Sequence, residues 1–204
     1  MKLATFVFVL AATSAFADDL PLPVPALYDV SGVAADDTLN VRALPDASSD
    51  IVGELASDAT AVEVVAYSRS SEWGLVNAGE GSGWVSMQFL QDSSVMAGAY
   101  GLPAFLHCSG TEPFFGVMVT QDGLMVTTPD TIDDPKVYPI EAVYPSGPEV
   151  IDLSNDVLIS WLKDGQSNQA RILPGKCSDG MSDRQYGLHY SDPVLGTGCC
   201  SIAP

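Results

Sequence analysis

Residues 38–86 read TLNVRALPDASSDIVGELASDATAVEVVAYSRSSEWGLVNAGEGSGWVS, and this stretch decides the fold. Short β-type runs alternate in it with turn residues. Thr38–Arg42 alternates polar and apolar. Ile51–Leu55 follows the loop Pro45–Asp50. Ala61–Tyr67 is rich in valine. Trp73–Asn77 and Gly83–Ser86 flank Ala78-Gly79-Glu80-Gly81. Five short strands so closely spaced predict a small all-β barrel. Leu39, Val41, Val62, Val64, Val76 and Val85 supply its inward face, because side chains alternate across a strand. Gly53 and Gly83 are expected at chain reversals that need freedom in φ, and Asn40 is expected to bond the backbone of the next turn.

The order Leu39-Asn40-Val41-Arg42, Pro45, Ile51-Val52-Gly53-Glu54-Leu55, Val62-Glu63-Val64, Trp73-Gly74-Leu75-Val76, Gly83-Trp84-Val85 and Phe89-Leu90 resembles the bacterial SH3-type (SH3b) domain. The resemblance spans residues 24–91. It implies an SH3-like barrel that contacts peptidoglycan peptides or an envelope protein. The aromatic residues there are Tyr67, Trp73, Trp84 and Phe89. Tyr67 and Trp73 are the candidate ligand contacts, Trp73 because it follows a Ser-rich loop at a strand start. Trp84, between Gly83 and Val85, is expected to be at least half buried.

Working outward, Met1–Ala17 reads as a secretory signal peptide. Lys2 is its basic start, Leu3–Ala12 its apolar run, and Ala15-Phe16-Ala17 its cleavage site after Ala17. The run falls short of the roughly 20 residues that span a bilayer. The expected address is the periplasm or the exterior, with no membrane insertion after cleavage. Residues 18–26 read as an extended leader. Residues 92–103, rich in Ser, Gly and Ala, read as a linker.

Residues 104–204 read as a second β-rich domain. Phe115–Thr120 and Leu124–Thr128 flank Gln121-Asp122-Gly123, a hairpin signal. Further β-type runs are Val137–Tyr144, Val150–Leu153, Val157–Leu162 and Gln169–Leu173, with a second hairpin at Asp164-Gly165. A Gly-rich tail follows from Pro174. The four cysteines, Cys108, Cys177, Cys199 and Cys200, all lie in this half. In an exported chain they predict disulfides. Adjacent cysteines sit too close to bridge each other. Cys199 and Cys200 therefore each pair with one of Cys108 and Cys177. No C-x-x-C pair or His spacing marks a metal site, and no cofactor is implied.

Two motifs in this half are similar to segments of bacterial envelope proteins of unknown function. Cys108-Ser109-Gly110-Thr111-Glu112-Pro113-Phe114-Phe115 is similar to a G-x-E-P-F-W segment, with Phe115 in place of Trp. Cys177-Ser178-Asp179-Gly180-Met181-Ser182-Asp183-Arg184-Gln185-Tyr186 is similar to a C-S-D-G-M-S-D-R-x-Y segment, with Gly187 where Pro is usual. The closing Gly198-Cys199 also matches. This resemblance implies the pairs Cys177–Cys199 and Cys108–Cys200. Glu112, Asp179, Asp183, Arg184 and Tyr186 are the candidate ligand-binding residues of this half, with Arg184 as a carboxylate clamp. The plainer reading is an array of Asx turns that caps its own backbone.

The chain has 26 acidic and 8 basic residues, 2 histidines and a formal net charge of −18. That charge excludes a nucleic-acid binder, which needs a basic footprint, and electrostatic docking on anionic lipid. It is shared evenly: residues 24–91 hold 10 acids and 2 bases, and residues 104–204 hold 13 and 5. No G-x-S-x-G elbow occurs, and bonded cysteines are not nucleophiles. The expected class is an exported binding or adaptor protein, not an enzyme. An acidic inhibitor of a cationic lysozyme-type hydrolase is the alternative. A hydrolase built on Glu112, Asp179 and Asp183 ranks last.

Overall fold

A computed structural model of the chain describes residues 23–147 and 149–204. The signal-peptide reading of residues 1–17, and most of the 18–26 leader, lie outside the described residues. The fold is nearly all β.

The first sheet holds seven strands: β1 (Ala26–Val30), β2 (Thr38–Arg42), β3 (Ile51–Ala56), β4 (Val62–Tyr67), β5 (Trp73–Ala78), β6 (Gly81–Ser86) and β7 (Leu90–Asp92). Their spatial order is β3-β2-β6-β5-β4-β1-β7. The sheet wraps around Leu39, Val41, Val64, Val76 and Val85, all buried, with Val62 packed partly buried against them. Strands β2 to β6 are the five runs read from the sequence. Strands β1 and β7 complete the sheet by pairing with each other, Tyr28 opposite Asp92. Ala26 thus belongs to a strand rather than to a leader.

Gly53 and Gly83 do not serve chain reversals; neither has a positive φ. Close packing explains them instead. A Cβ on Gly83 would lie 2.6 Å from Val41 Cγ1 and 2.8 Å from the Arg42 carbonyl oxygen. The turn after β2 is closed by other groups than Asn40: Arg42 donates to the Ser49 carbonyl (2.7 Å), and the Leu44 N–H to Ser49 Oγ (2.9 Å).

The second sheet holds nine strands: β8 (His107–Thr111), β9 (Phe114–Thr120), β10 (Gly123–Thr127), β11 (Lys136–Tyr138), β12 (Ile140–Tyr144), β13 (Val157–Lys163), β14 (Gln166–Cys177), β15 (Tyr186–Asp192) and β16 (Gly196–Ser201). Their order is β11-β10-β9-β8-β16-β15-β14-β13-β12. The run expected over Val137–Tyr144 is thus two strands. Pro139 lacks the N–H that a ladder needs and breaks it. Strands β11 and β12 are neighbours in sequence yet lie at opposite ends of the sheet. The sheet therefore curls until its ends meet. The Leu162 N–H donates to the Pro139 carbonyl (2.8 Å), and the rings of Tyr138 and Trp161 lie 5.2 Å apart. The result is a nearly closed barrel around Leu124, Ile159, Trp161, Ile172 and Leu188, each 0–2% exposed.

The strand expected over Val150–Leu153 does not form. That segment is coil, and its apolar residues Ile151 and Leu153 plug the barrel core. Residues 93–106 are likewise packed rather than extended: Leu102 and Leu106 enter the same core. At the second hairpin Asp164 and Gly165 both have positive φ (52° and 78°), as a type I′ turn requires. At the first, Gln121 and Asp122 form the turn and Gly123 already opens β10. The tail from Pro174 is mostly strand.

Both disulfides staple this second sheet. Cys108–Cys200 joins residues directly opposite each other on β8 and β16. Cys177–Cys199 ties the end of β14 to β16 across the intervening β15. These are the pairs the envelope-protein resemblance implies.

Candidate functional site

The two barrels meet along β4. Its inward residues fill the first core. Its outward residue Glu63 is only 7% exposed, because the end of β16 covers it. Ser201 Oγ donates to Glu63 Oε2 (2.6 Å) and the Ile202 N–H to Oε1 (3.0 Å). Burial pushes the Glu63 carboxyl above the usual range, against the pull of those two bonds.

This junction positions the loop Cys177–Tyr186. Asn77 on β5 holds both backbone groups of Gln185: its Oδ1 accepts from the N–H (2.9 Å) and its Nδ2 donates to the carbonyl (2.8 Å). The Asp183 N–H donates to the Glu80 carbonyl in the β5–β6 turn (3.1 Å). A Cβ on Gly187 would lie 3.0 Å from the Pro25 ring, which accounts for glycine there.

Within the loop Asp179 is the organiser. Its Oδ1 accepts from the Met181 and Ser182 N–H groups (both 2.9 Å), and its Oδ2 from Ser182 Oγ (2.8 Å). The Tyr186 hydroxyl approaches the same Oδ2 at 3.4 Å. These bonds, the Ser182 amide foremost, hold the Asp179 carboxyl below the usual range. Burial raises the Tyr186 hydroxyl, with Arg184 opposing. The Asx-turn array is therefore present. Arg184 does not pair with an acid beside it: among the described residues the ion pairs are Lys136–Asp134 and Arg171–Asp156.

Asp179, Arg184 and Tyr186 come together on the wall of a groove of ≈ 740 Å³, which Thr111, Phe114 and Ile132 complete. Glu112 lies outside this groove. It lines an adjoining one of ≈ 830 Å³ that shares Thr111, Phe114, Asp179 and Met181. Asp183 is exposed and lines neither. Sequence reading did not single out the exposed apolar rim: Phe114 (54% exposed), Met181 (69%) and Ile132 (70%). Nothing in a loop sequence marks which apolar residues stay uncovered.

Tyr67 and Trp73 lie outside this groove; Tyr67 stands opposite Gly74 on the neighbouring strand, one residue from Trp73, but only Trp73 lines a groove. Burial, and after it the 2.7 Å hydrogen bond shared with the Tyr28 hydroxyl, raises the Tyr67 hydroxyl above its ordinary value. Trp73, half buried, lines a groove of ≈ 290 Å³ on the first barrel together with Asp37, Asn40, Arg42, Gln88 and Phe89. Asp37 and Arg42 give that groove both signs of charge. Trp84 is partly buried on β6.

Among known proteins, the family model of the bacterial SH3 domain matches residues 37–91. No curated protein and no solved structure matches the chain. The matched span takes in β2 to β6 and most of β7, together with the groove at Trp73. Residues 37–91 thus form a bacterial SH3 domain, a class that binds peptidoglycan or proteins.

Proposed function

We propose that this is an exported binding protein of the bacterial cell envelope, whose SH3 domain takes a peptide of peptidoglycan, or of an envelope protein, into the groove beside Trp73. The observation that carries this reading is the pairing of Trp73 with Asp37 and Arg42 in one groove of a bacterial SH3 domain. An aromatic face supplies contact area at low entropic cost. The two charges suit a ligand that carries both an amine and a carboxylate, as stem peptides do. The export signal read in the sequence of residues 1–17 and the two disulfides support an oxidising, extracytoplasmic address.

Co-sedimentation of the mature full-length protein with purified sacculi tests the reading. Retention that persists from low to moderate salt, and that Trp73→Ala lowers by about tenfold, is expected. No retention at either salt overturns wall binding. Retention that Trp73→Ala leaves intact overturns the groove.

A further inference from the structure

The groove of the second barrel holds a cation without a partner. Arg184 lines it, and among the described residues no carboxylate lies within ion-pair distance of its guanidinium. Its Nε is buried and makes no hydrogen bond. A buried donor left unsatisfied is costly, and a native structure that keeps one usually keeps it for a purpose. The two acids around it are already occupied: Glu63, which feels the charge of Arg184, accepts from Ser201 and Ile202, and Asp179 spends its two oxygens on Met181, Ser182 and Tyr186.

Around this cation most of the groove wall is apolar, with Glu80 and the already bonded Asp179 as the carboxylates that line it. Phe114, Met181 and Ile132 stand exposed at its rim. The adjoining trough leads from the same Phe114 and Met181 to the exposed Glu112. Along this path the order is a guanidinium, an apolar wall and then a carboxylate. A planar guanidinium matches a carboxylate with two parallel bonds. The apolar wall suits a hydrophobic side chain beside it, and Glu112 suits a basic residue further on. The joined lobes are larger than a single small acid needs and fit a short chain.

We propose that this groove binds the C-terminal carboxylate of a peptide whose last residue is apolar and whose preceding residue is neutral or basic. The carboxylate sits on Arg184, the last side chain lies against Phe114 and Met181, and the chain runs towards Glu112. This site lies on the second barrel, with Glu80 of the first barrel at its edge, and does not depend on the peptide-binding reading of the groove at Trp73.

The test uses the mature full-length protein and the probe dansyl-Gly-Lys-Leu, as the free acid and as the C-terminal amide, followed by fluorescence anisotropy. The acid should bind at least about tenfold tighter than the amide. Arg184→Gln should bring the acid down to the amide's level and leave the amide unchanged. Phe114→Ser should weaken both forms alike. Equal binding of acid and amide by the wild-type protein overturns the proposal, and needs no variant to fold. So does absence of acid binding up to about 1 mM. Self-association of the protein that Phe114→Ser abolishes would assign the groove to a second copy, and overturns it too.

Discussion

Glu63 and Ser201 are 138 residues apart in sequence and 2.6 Å apart in space. One faces outward from β4 of the SH3 barrel, the other ends the last strand of the second barrel. With the Ile202 N–H they make a buried polar clasp between the two halves. His107 and Arg184 are the cations that act on the carboxyl there. An unpaired buried carboxylate is unfavourable, and here burial outweighs the bonds.

The clasp should therefore depend on pH. A carboxyl whose folded value is raised stabilises the fold fully below the ordinary value of 4.5. That contribution is lost as pH rises through the higher folded value. Thermal melts from pH 4.5 upward should show this loss, superimposed on the general repulsion of an acidic chain. Glu63→Gln removes the titration and should flatten the difference. Glu63→Ala strands the Ser201 hydroxyl and the Ile202 N–H, at a cost of about 1–3 kcal/mol. A Glu63→Gln profile parallel to wild type would refute the assignment.

The second core has a polar anchor of its own. Trp161, fully buried, donates its indole N–H to Asp192 Oδ2 at 2.8 Å. Asp192 Oδ1 meanwhile accepts from the Val194 and Leu195 N–H groups in the β15–β16 turn. Asp192→Ala leaves all three donors unmet and should cost about 3 kcal/mol in a denaturant titration. Trp161→Phe loses one bond and some ring area, so its cost should be smaller. The reverse ranking would show that the turn does not need Asp192.

Asp179 should behave as a local clamp. Its carboxyl is held below the ordinary 3.8, so it supports the loop above that value and lets go only as pH falls through the lower folded one. Carbon NMR of the carboxyl should show titration below 3.8. Asp179→Ala should speed amide exchange at Met181 and Ser182 by about tenfold, with little change in global melting. A carboxyl that titrates at the ordinary value would show that the turn bonds are not kept in solution.

How far the sequence revealed all this depends on the range of the interaction. Strand β2 was legible because one of its faces is wet, which produces alternation; β4 and β5 are buried at three successive positions and were legible from their valines and leucine between turn residues. Strand β1 is buried at four of five positions and shows none; β7 has only three residues. Ile151 and Leu153 looked like a strand because they are core residues, though held by a loop. The break at Pro139 could be seen, but the closure it allows depends on Leu162 arriving from elsewhere. The site followed the same rule. The turn chemistry of Asp179 and Ser182 is local, and the motif exposed it. That Phe114 and Ile132 join Arg184, or that an outward Glu63 is covered, depends on which surfaces meet.

The disulfides give the last and broadest prediction. Cys108–Cys200 closes a loop of 92 positions and Cys177–Cys199 one of 22. Chain-entropy estimates give about 4–5 and about 3 kcal/mol respectively. Cys108 and Cys200 are also buried in the core, 3% and 0% exposed, so their replacement costs packing as well. The double variant Cys108→Ala/Cys200→Ala should therefore lose more stability than Cys177→Ala/Cys199→Ala. All four cysteines lie in the second barrel. Reduction should accordingly raise amide exchange across β8 to β16 while β2 to β6, which have their own core, stay protected. The exception is Glu63, whose partners sit next to Cys200 on β16 and beyond it, so the outward face of β4 should open together with the second barrel. Uniform loss of protection in both barrels would instead make the two halves a single cooperative unit. Loss confined to Cys177–Tyr186 would show that the long-loop disulfide contributes little.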